Sequence, residues 1–112
     1  MDLDRLMLYC RLSRRYTGYL ELQECLKIAL EDEERLLYVT GIYREVGEKF
    51  YGSAGRIERN IRTLLNYSWK NGGKEPLEKI FGRKLDSKPR VGEVIEGFVC
   101  YLKGYQGEDI TF

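Results

Sequence analysis

The sequence predicts an all-α fold, a compact bundle of about six helices that contains a helix-turn-helix. Two observations predict this class. Apolar residues recur every three or four positions in most segments, which is the spacing that lines one face of a helix. The breaks between these segments are short and carry glycine or helix-capping residues. With 112 residues, of which 43% are hydrophobic, the chain is long enough for one domain with an ordinary core.

Two helices are predicted in the first third of the chain. The first covers about residues 3–13 and begins at Asp2, a residue type that suits an N-cap. Its apolar stripe consists of Leu3, Leu6, Met7 and Cys10. The second starts after a break at Thr17 and Gly18 and ends near the acidic run of residues 31–34. Its apolar stripe consists of Leu22, Cys25, Leu26 and Ala29, and both stripes are expected to face the core.

A helix-turn-helix is predicted in residues 42–71. The first helix is short, about two turns, and its apolar residues recur every four positions at Ile42, Val46 and Phe50. A short polar break containing Gly52 follows, and a long helix then covers about residues 54–70 with Ser53 as its N-cap. In such a motif the first helix braces the second, and the second lies in the DNA major groove.

Two more helices are predicted after residue 71. A short one has Pro76 at its first position and ends at Gly82. A linker over residues 83–90 leads to a last helix over residues 91–103, although the stretch FVCYL within it could by itself form a strand. The predicted domain therefore covers residues 1–103. The polar, glycine-bearing tail of residues 104–112 is expected to be loose unless it docks on the core or on a partner.

The long helix has the residue types that DNA recognition needs. Its apolar stripe can fix it on the domain, and the remaining face carries three arginines. An arginine donates two hydrogen bonds to guanine O6 and N7, and a glutamate can accept one from cytosine N4. The predicted base contacts are Arg56, Glu58 and Arg59. The predicted contacts to the DNA backbone are Ser53, Gly55, Arg62, Thr63 and Asn66, at the start and along the exposed side of the helix.

A structural interpretation of the same helix stays open. Arginines on the exposed face of an amphipathic helix often only keep that face solvated, and Glu58 could serve as an ion-pair partner of Arg62 four residues later. The formal net charge of +1 does not indicate a nucleic-acid partner. The charges are unevenly distributed, since residues 31–34 are all acidic whereas the window of residues 56–74 contains five basic residues and a single acidic one.

Composition argues against an enzyme, a metal site and a membrane protein. The chain has no histidine, so mechanisms that use imidazole are excluded and Ser53 has no base to activate it. The three cysteines are far apart and form no CxxC pair. No apolar run reaches the roughly 18 residues of a membrane span. We therefore expect a soluble cytoplasmic protein that is not an enzyme and uses no cofactor and no metal.

Three consecutive segments of the chain resemble a known family. They are GYLELQECLKIALEDEERL, IYREVGEKF and SAGRIERNIRTLLNYSWKNG. Together they are similar to the C-terminal DNA-binding effector domain of the stage-zero sporulation protein A family, response regulators that commit endospore-forming bacteria to sporulation. The likeness covers about residues 3–103, and its most specific part is RIERNIR followed by Trp69.

The resemblance implies a six-helix domain in the response-regulator effector superfamily, winged-helix-like but with no wing expected. It implies that Arg56, Glu58 and Arg59 read bases and contact the nearby backbone, and that Arg62 binds a phosphate. The family commonly has serine and histidine where this chain has Gly55 and Thr63, and their loss removes two DNA contacts. The family also carries an N-terminal receiver whose phosphorylation promotes dimerisation, and this sequence starts almost directly at the effector domain.

The predicted function is sequence-specific DNA binding by a transcriptional regulator. The predicted partners are double-stranded DNA, RNA polymerase and a second copy of the chain on tandem sites. The alternative is a protein-interaction module that keeps the fold and has lost specific DNA binding. The retained set of arginines on one helix favours DNA, since an interaction module has no physical need for them.

Overall fold

The computed structural model describes residues 2–108 and 110, and these residues form a helical bundle. Six α-helices occur in this part of the chain: α1 Leu3–Tyr9, α2 Gly18–Glu31, α3 Val39–Lys49, α4 Ala54–Lys70, α5 Lys74–Phe81 and α6 Val91–Leu102. A 3₁₀-helix, Glu33–Tyr38, runs directly into α3. No strand occurs among the described residues. The all-α prediction with about six helices is confirmed, and the segment FVCYL is helical.

The centre of the bundle consists of α2, α4 and α6. Helix α2 packs against α3, α4 and α6, and α4 also packs against α3 and α6. The residues of α4 that this packing buries are Ile57, Ile61, Leu64, Leu65 and Ser68. The apolar stripe that the sequence predicts on this helix consists of these four apolar residues and Trp69, which is partly buried against the core. The opposite face of α4 remains outside the core.

Three boundaries differ from the predictions. Helix α1 ends at Tyr9 rather than near residue 13, because Arg11 adopts a left-handed φ of 64° and turns the chain so that Leu12 is buried. Helix α3 begins at Val39 rather than at residue 42, since the 3₁₀-helix leads into it. Pro76 is the third residue of α5 rather than the first. Proline is tolerated there because the first four N–H groups of a helix have no partner within the helix.

The linker and the tail contact the helices. Leu85 in the linker is buried, and its N–H donates to the Glu78 carboxylate at 2.7 Å. In the tail, the N–H of Glu108 donates to the Lys79 carbonyl at 3.0 Å, and the Gln106 amide donates to the Gly97 carbonyl at 3.3 Å. Over residues 104–108 the tail therefore docks on α5 and α6. Residues 1, 109, 111 and 112, which the predicted domain and tail include, lie outside the described residues, and the boundary at residue 103 stays a prediction.

Candidate nucleic-acid interface

The turn that joins α3 to α4 is closed by two glycines. The Gly52 N–H donates to the Gly47 carbonyl at 2.8 Å, and Tyr51 between them adopts a left-handed φ of 57°. A Cβ atom on Gly47 would overlap the carbonyl oxygen of Gly52, so no other residue fits without moving the backbone. This contact closes the short turn between α3 and α4. The two helices and the turn form the helix-turn-helix that the sequence predicts.

Ser53 is the N-cap of α4, as predicted. Its backbone is extended, with φ −79° and ψ 162°, and its hydroxyl oxygen accepts a hydrogen bond from the Arg56 N–H at 3.1 Å. The bond satisfies one of the four N–H groups that lack a partner at a helix start. The remaining free amides and the positive end of the helix dipole lie beside Gly55, which is a suitable position for a phosphate.

The predicted contact residues share one exposed face of α4. The exposed ones are Gly55, Arg56, Arg59, Arg62, Thr63 and Asn66. At about 100° per residue they fall within an arc of roughly 120°. Glu58 lies at the margin of this arc and is half-buried. The structure thus brings the predicted residues together on a single surface, which we call the α4 face.

The charges on the α4 face are not equally available. Arg62 forms an ion pair with Glu58, at 3.3 Å. The guanidinium groups of Arg56 and Arg59 form no ion pair within the described residues. An exposed pair of this kind contributes only about 0.3–0.5 kcal/mol, so DNA could separate Glu58 from Arg62 at little cost. Two of the three guanidinium groups on the α4 face are therefore without an ion pair among the described residues, and the third has only a weak one.

Two other polar residues of the face already have partners. The Thr63 hydroxyl donates to the Arg59 carbonyl at 3.1 Å, within the helix. The Asn66 side-chain oxygen accepts a hydrogen bond from the Lys88 ammonium group. Lys88 belongs to the linker between α5 and α6, so this bond brings a cation from a distant segment beside the α4 face. Sequence reasoning missed Lys88, because the linker has no periodic pattern that would orient it.

A cleft of about 860 Å³ adjoins the α4 face. Its lining combines apolar side chains, among them Leu36, Val39 and Phe81, with Glu58 and Arg62 from α4 and with residues of the linker and α6. No sequence pattern predicts this cleft, which forms where segments remote in the chain meet. It offers a second surface next to the predicted DNA contacts.

The thiol groups are not activated for catalysis. Burial raises the pKa of both Cys10 and Cys25 to about 12, so these thiols are neutral at physiological pH. Among the described residues, no group of three or more histidine, cysteine, aspartate or glutamate side chains could hold a metal ion. None of the described helices has the length and apolar character that crossing a bilayer requires.

The chain was compared with models of known protein families. The model described as "Sporulation initiation factor Spo0A C terminal" matches residues 4–102 of the 112. The match runs from the second residue of α1 to the last residue of α6 and includes the helix-turn-helix and the α4 face. The chain therefore belongs to the Spo0A C-terminal family, the DNA-binding effector domains of sporulation initiation factors.

Proposed function

We propose that the chain is a sequence-specific transcriptional regulator that reads the major groove with the α4 face. The observation that carries this proposal is the exposed position of Arg56 and Arg59 on the second helix of a helix-turn-helix, where neither forms an ion pair with any residue that the structure describes. In a groove, each guanidinium can donate to guanine O6 and N7. Such a protein works where the chromosome is, in the cytoplasm.

The other residues of the face have distinct proposed roles. Glu58 accepts from cytosine N4 once its pair with Arg62 opens, and Arg62 then binds a phosphate. The amide at Gly55 and the cap at Ser53 hold the backbone at the start of the helix. Thr63 and Asn66 contact the backbone further along. Phosphate contacts fix the register of the helix, and base contacts select the sequence.

The test is a binding titration with labelled duplexes across a salt series. The wild-type protein first selects a duplex from a random library, and a scrambled duplex of the same composition serves for comparison. Arg59→Ala is expected to reduce the preference for the selected duplex by about tenfold to a hundredfold. For the wild-type protein, the slope of log affinity against log salt should be about −0.9 for each phosphate contacted.

The matched control is Arg35→Ala. Arg35 lies on the 3₁₀-helix and pairs with Glu45 at 2.8 Å, so its removal changes the net charge equally without touching the α4 face. It should leave the preference unchanged. If the wild-type protein binds both duplexes equally and Arg59→Ala behaves like it, the α4 face does not read sequence.

The cleft beside the α4 face supports a second candidate function, the docking of a protein partner. Its mixed lining of apolar and charged side chains suits a protein segment better than a phosphate backbone. RNA polymerase is the partner we propose for this surface, and a second copy of the chain is proposed as a neighbour on tandem sites. Pull-down of purified RNA polymerase tests the docking proposal. Sedimentation of the protein with duplexes bearing one or two selected sites tests whether two copies of the chain bind side by side.

A further inference from the structure

Glu21 is a charged residue in the contact between α2 and α4. It is 5% exposed. The two helices touch backbone to backbone one turn earlier, since a Cβ atom on Gly18 would lie 2.7 Å from the carbonyl carbon of Asn60. Glu21 therefore lies in the contact between α2 and α4, beside the half-buried Asn60 at the edge of the α4 face.

The carboxylate of Glu21 is incompletely satisfied. One oxygen accepts a hydrogen bond from the Asn60 side-chain amide at 3.4 Å, and the other is buried without a partner among the described residues. Burial raises the pKa of Glu21, while the Asn60 hydrogen bond and the charge of Arg56 oppose this rise. On its own helix, the charge of Glu21 acts on the Cys25 thiol. A buried oxygen without a donor attracts a nearby cation.

Arg56 lies four residues before Asn60, one turn away on the same side of α4, which places it beside the partner of the Glu21 carboxylate. Its N–H is held by the Ser53 cap, and its aliphatic stem lies against the turn, since a Cβ atom on Gly52 would be 3.3 Å from the Arg56 Cδ atom. The base of the side chain is thus fixed, and its guanidinium forms no ion pair among the described residues. The negative charge of Glu21 can then favour one orientation of the Arg56 guanidinium over others.

We propose that Glu21 is a positioning residue for DNA recognition: from the buried side of α4 it holds Asn60 and orients the Arg56 guanidinium for its contact with a base. This inference rests on the proposed function. It makes the pair of Glu21 and Asn60 a support behind the α4 face, comparable to a second hydrogen-bonded layer behind a binding site. The ionised carboxylate is the active form, because only that form attracts the arginine.

The decisive variant is Glu21→Gln, since glutamine can still accept from Asn60 and loses only the charge. Binding is measured with the selected and the scrambled duplex defined above. We expect the preference for the selected duplex to fall about tenfold, with non-specific binding little changed. Glu31→Gln is the matched control, because it removes the same charge from the exposed end of the same helix. It should bind like the wild-type protein.

A double-mutant cycle separates positioning from a general structural effect. Arg56→Ala should add little to the loss in a Glu21→Gln background, whereas Arg59→Ala should add its full loss, because Glu21 acts through Arg56 alone. Full additivity of Glu21→Gln with Arg56→Ala would overturn the inference. If Glu21→Gln discriminates between the duplexes as well as the wild-type protein does, the inference fails and the proposed function stands.

The pH dependence of DNA binding by the wild-type protein tests the inference without a substitution at position 21. Because burial raises the pKa of Glu21, acidification should neutralise it before the exposed glutamates, and the preference for the selected duplex should fall as the pH is lowered. The preference that remains in Arg56→Ala should not depend on pH over the same range. A profile of the same shape in both proteins would contradict the inference. If the wild-type protein shows no preference at any pH, both the inference and the proposed function fail.

Discussion

The turn that enters α4 and the turn that leaves it use the same hydrogen-bond pattern, but they differ in the residue at the left-handed position. At the entry, the Gly52 N–H donates to the Gly47 carbonyl and Tyr51 carries the positive φ of 57°. At the exit, the Gly73 N–H donates to the Ser68 carbonyl at 2.7 Å, and Gly72 carries a φ of 89°. Both turns have the 6→1 hydrogen bond of a Schellman motif, in which glycine is usual at the left-handed position.

The difference concerns strain and anchoring. An L-residue in the left-handed region costs about 1–2 kcal/mol, and glycine avoids this penalty. The Tyr51 side chain is 93% exposed, so packing within the domain offsets little of the penalty. At the exit, the buried Ser68 hydroxyl donates to the Cys10 carbonyl at 2.7 Å and ties α4 to the end of α1. The exit end is thus stabilised by a buried hydrogen bond and an unstrained glycine. The entry end, which is the end proposed to meet DNA, keeps a strained residue at Tyr51.

Gly47→Ala should give the largest effect, a loss of about 2–3 kcal/mol in the free energy of unfolding. The added Cβ atom would overlap the Gly52 carbonyl oxygen and lie 3.2 Å from its carbon, so the entry turn must open. Urea unfolding followed by circular dichroism measures the loss. Gly55→Ala is the control, since a Cβ atom there meets nothing within 4 Å and alanine favours the helix by up to about 1 kcal/mol. Equal stabilities of the two variants would show that the entry turn is not locked by glycine contact.

Ser68→Ala tests the anchor at the exit end. It removes a buried hydrogen bond and leaves the Cys10 carbonyl without this donor, so we expect a loss of about 2 kcal/mol. The same urea titration applies. Thr63→Ala is the control on the same helix, because its hydroxyl is exposed and bonds only to the Arg59 carbonyl. Its effect should remain within about 0.5 kcal/mol. If both variants lose the same stability, the hydrogen bond from Ser68 to the Cys10 carbonyl does not stabilise the C-terminal end of α4.

Ser53→Ala should destabilise the entry end by about 1 kcal/mol, because the Arg56 N–H loses its acceptor. Thermal unfolding detects this change as a lower midpoint. Ser53→Asp keeps an acceptor and adds a charge that suits the helix dipole, so it should be as stable as the wild-type protein. Destabilisation by both substitutions would mean that the cap is not what Ser53 contributes to folding.

The sequence predicted the elements whose information is local. Helix α4 covers Ala54–Lys70, as predicted from its periodic stripe, its serine cap and the Asn-Gly pair that follows. The exposed position of Arg56, Arg59 and Arg62 follows from the same period, since fixing the stripe in the core leaves the opposite face outside. Which bases or phosphates these residues contact stays a prediction.

Features that depend on remote contacts could not be predicted in this way. Glu21 and Asn60 are 39 positions apart, and both are polar residues that a helical pattern assigns to a surface. Leu12 and Leu85 are buried although neither belongs to a predicted apolar stripe, because the left-handed turn at Arg11 and the bond to Glu78 bring them inward. Lys88 reaches Asn66 only because the linker folds back along the bundle. Each of these arises from tertiary packing, which leaves no period in the sequence.

Tyr51→Gly should have the smallest effect and the opposite sign, a gain of about 0.5–1 kcal/mol in the free energy of unfolding. Relief of the left-handed penalty exceeds the greater entropy that glycine adds to the unfolded chain. Gly72→Ala is the reciprocal change at the exit and should lose about 1 kcal/mol, since alanine at a positive φ is strained. Urea unfolding of the two variants compares the two ends directly. A Tyr51→Gly variant that is more stable but binds the selected duplex more weakly would show that the ring acts at the DNA. A loss of stability in that variant would mean that position 51 is not strained, and the contrast between the two ends of α4 would disappear.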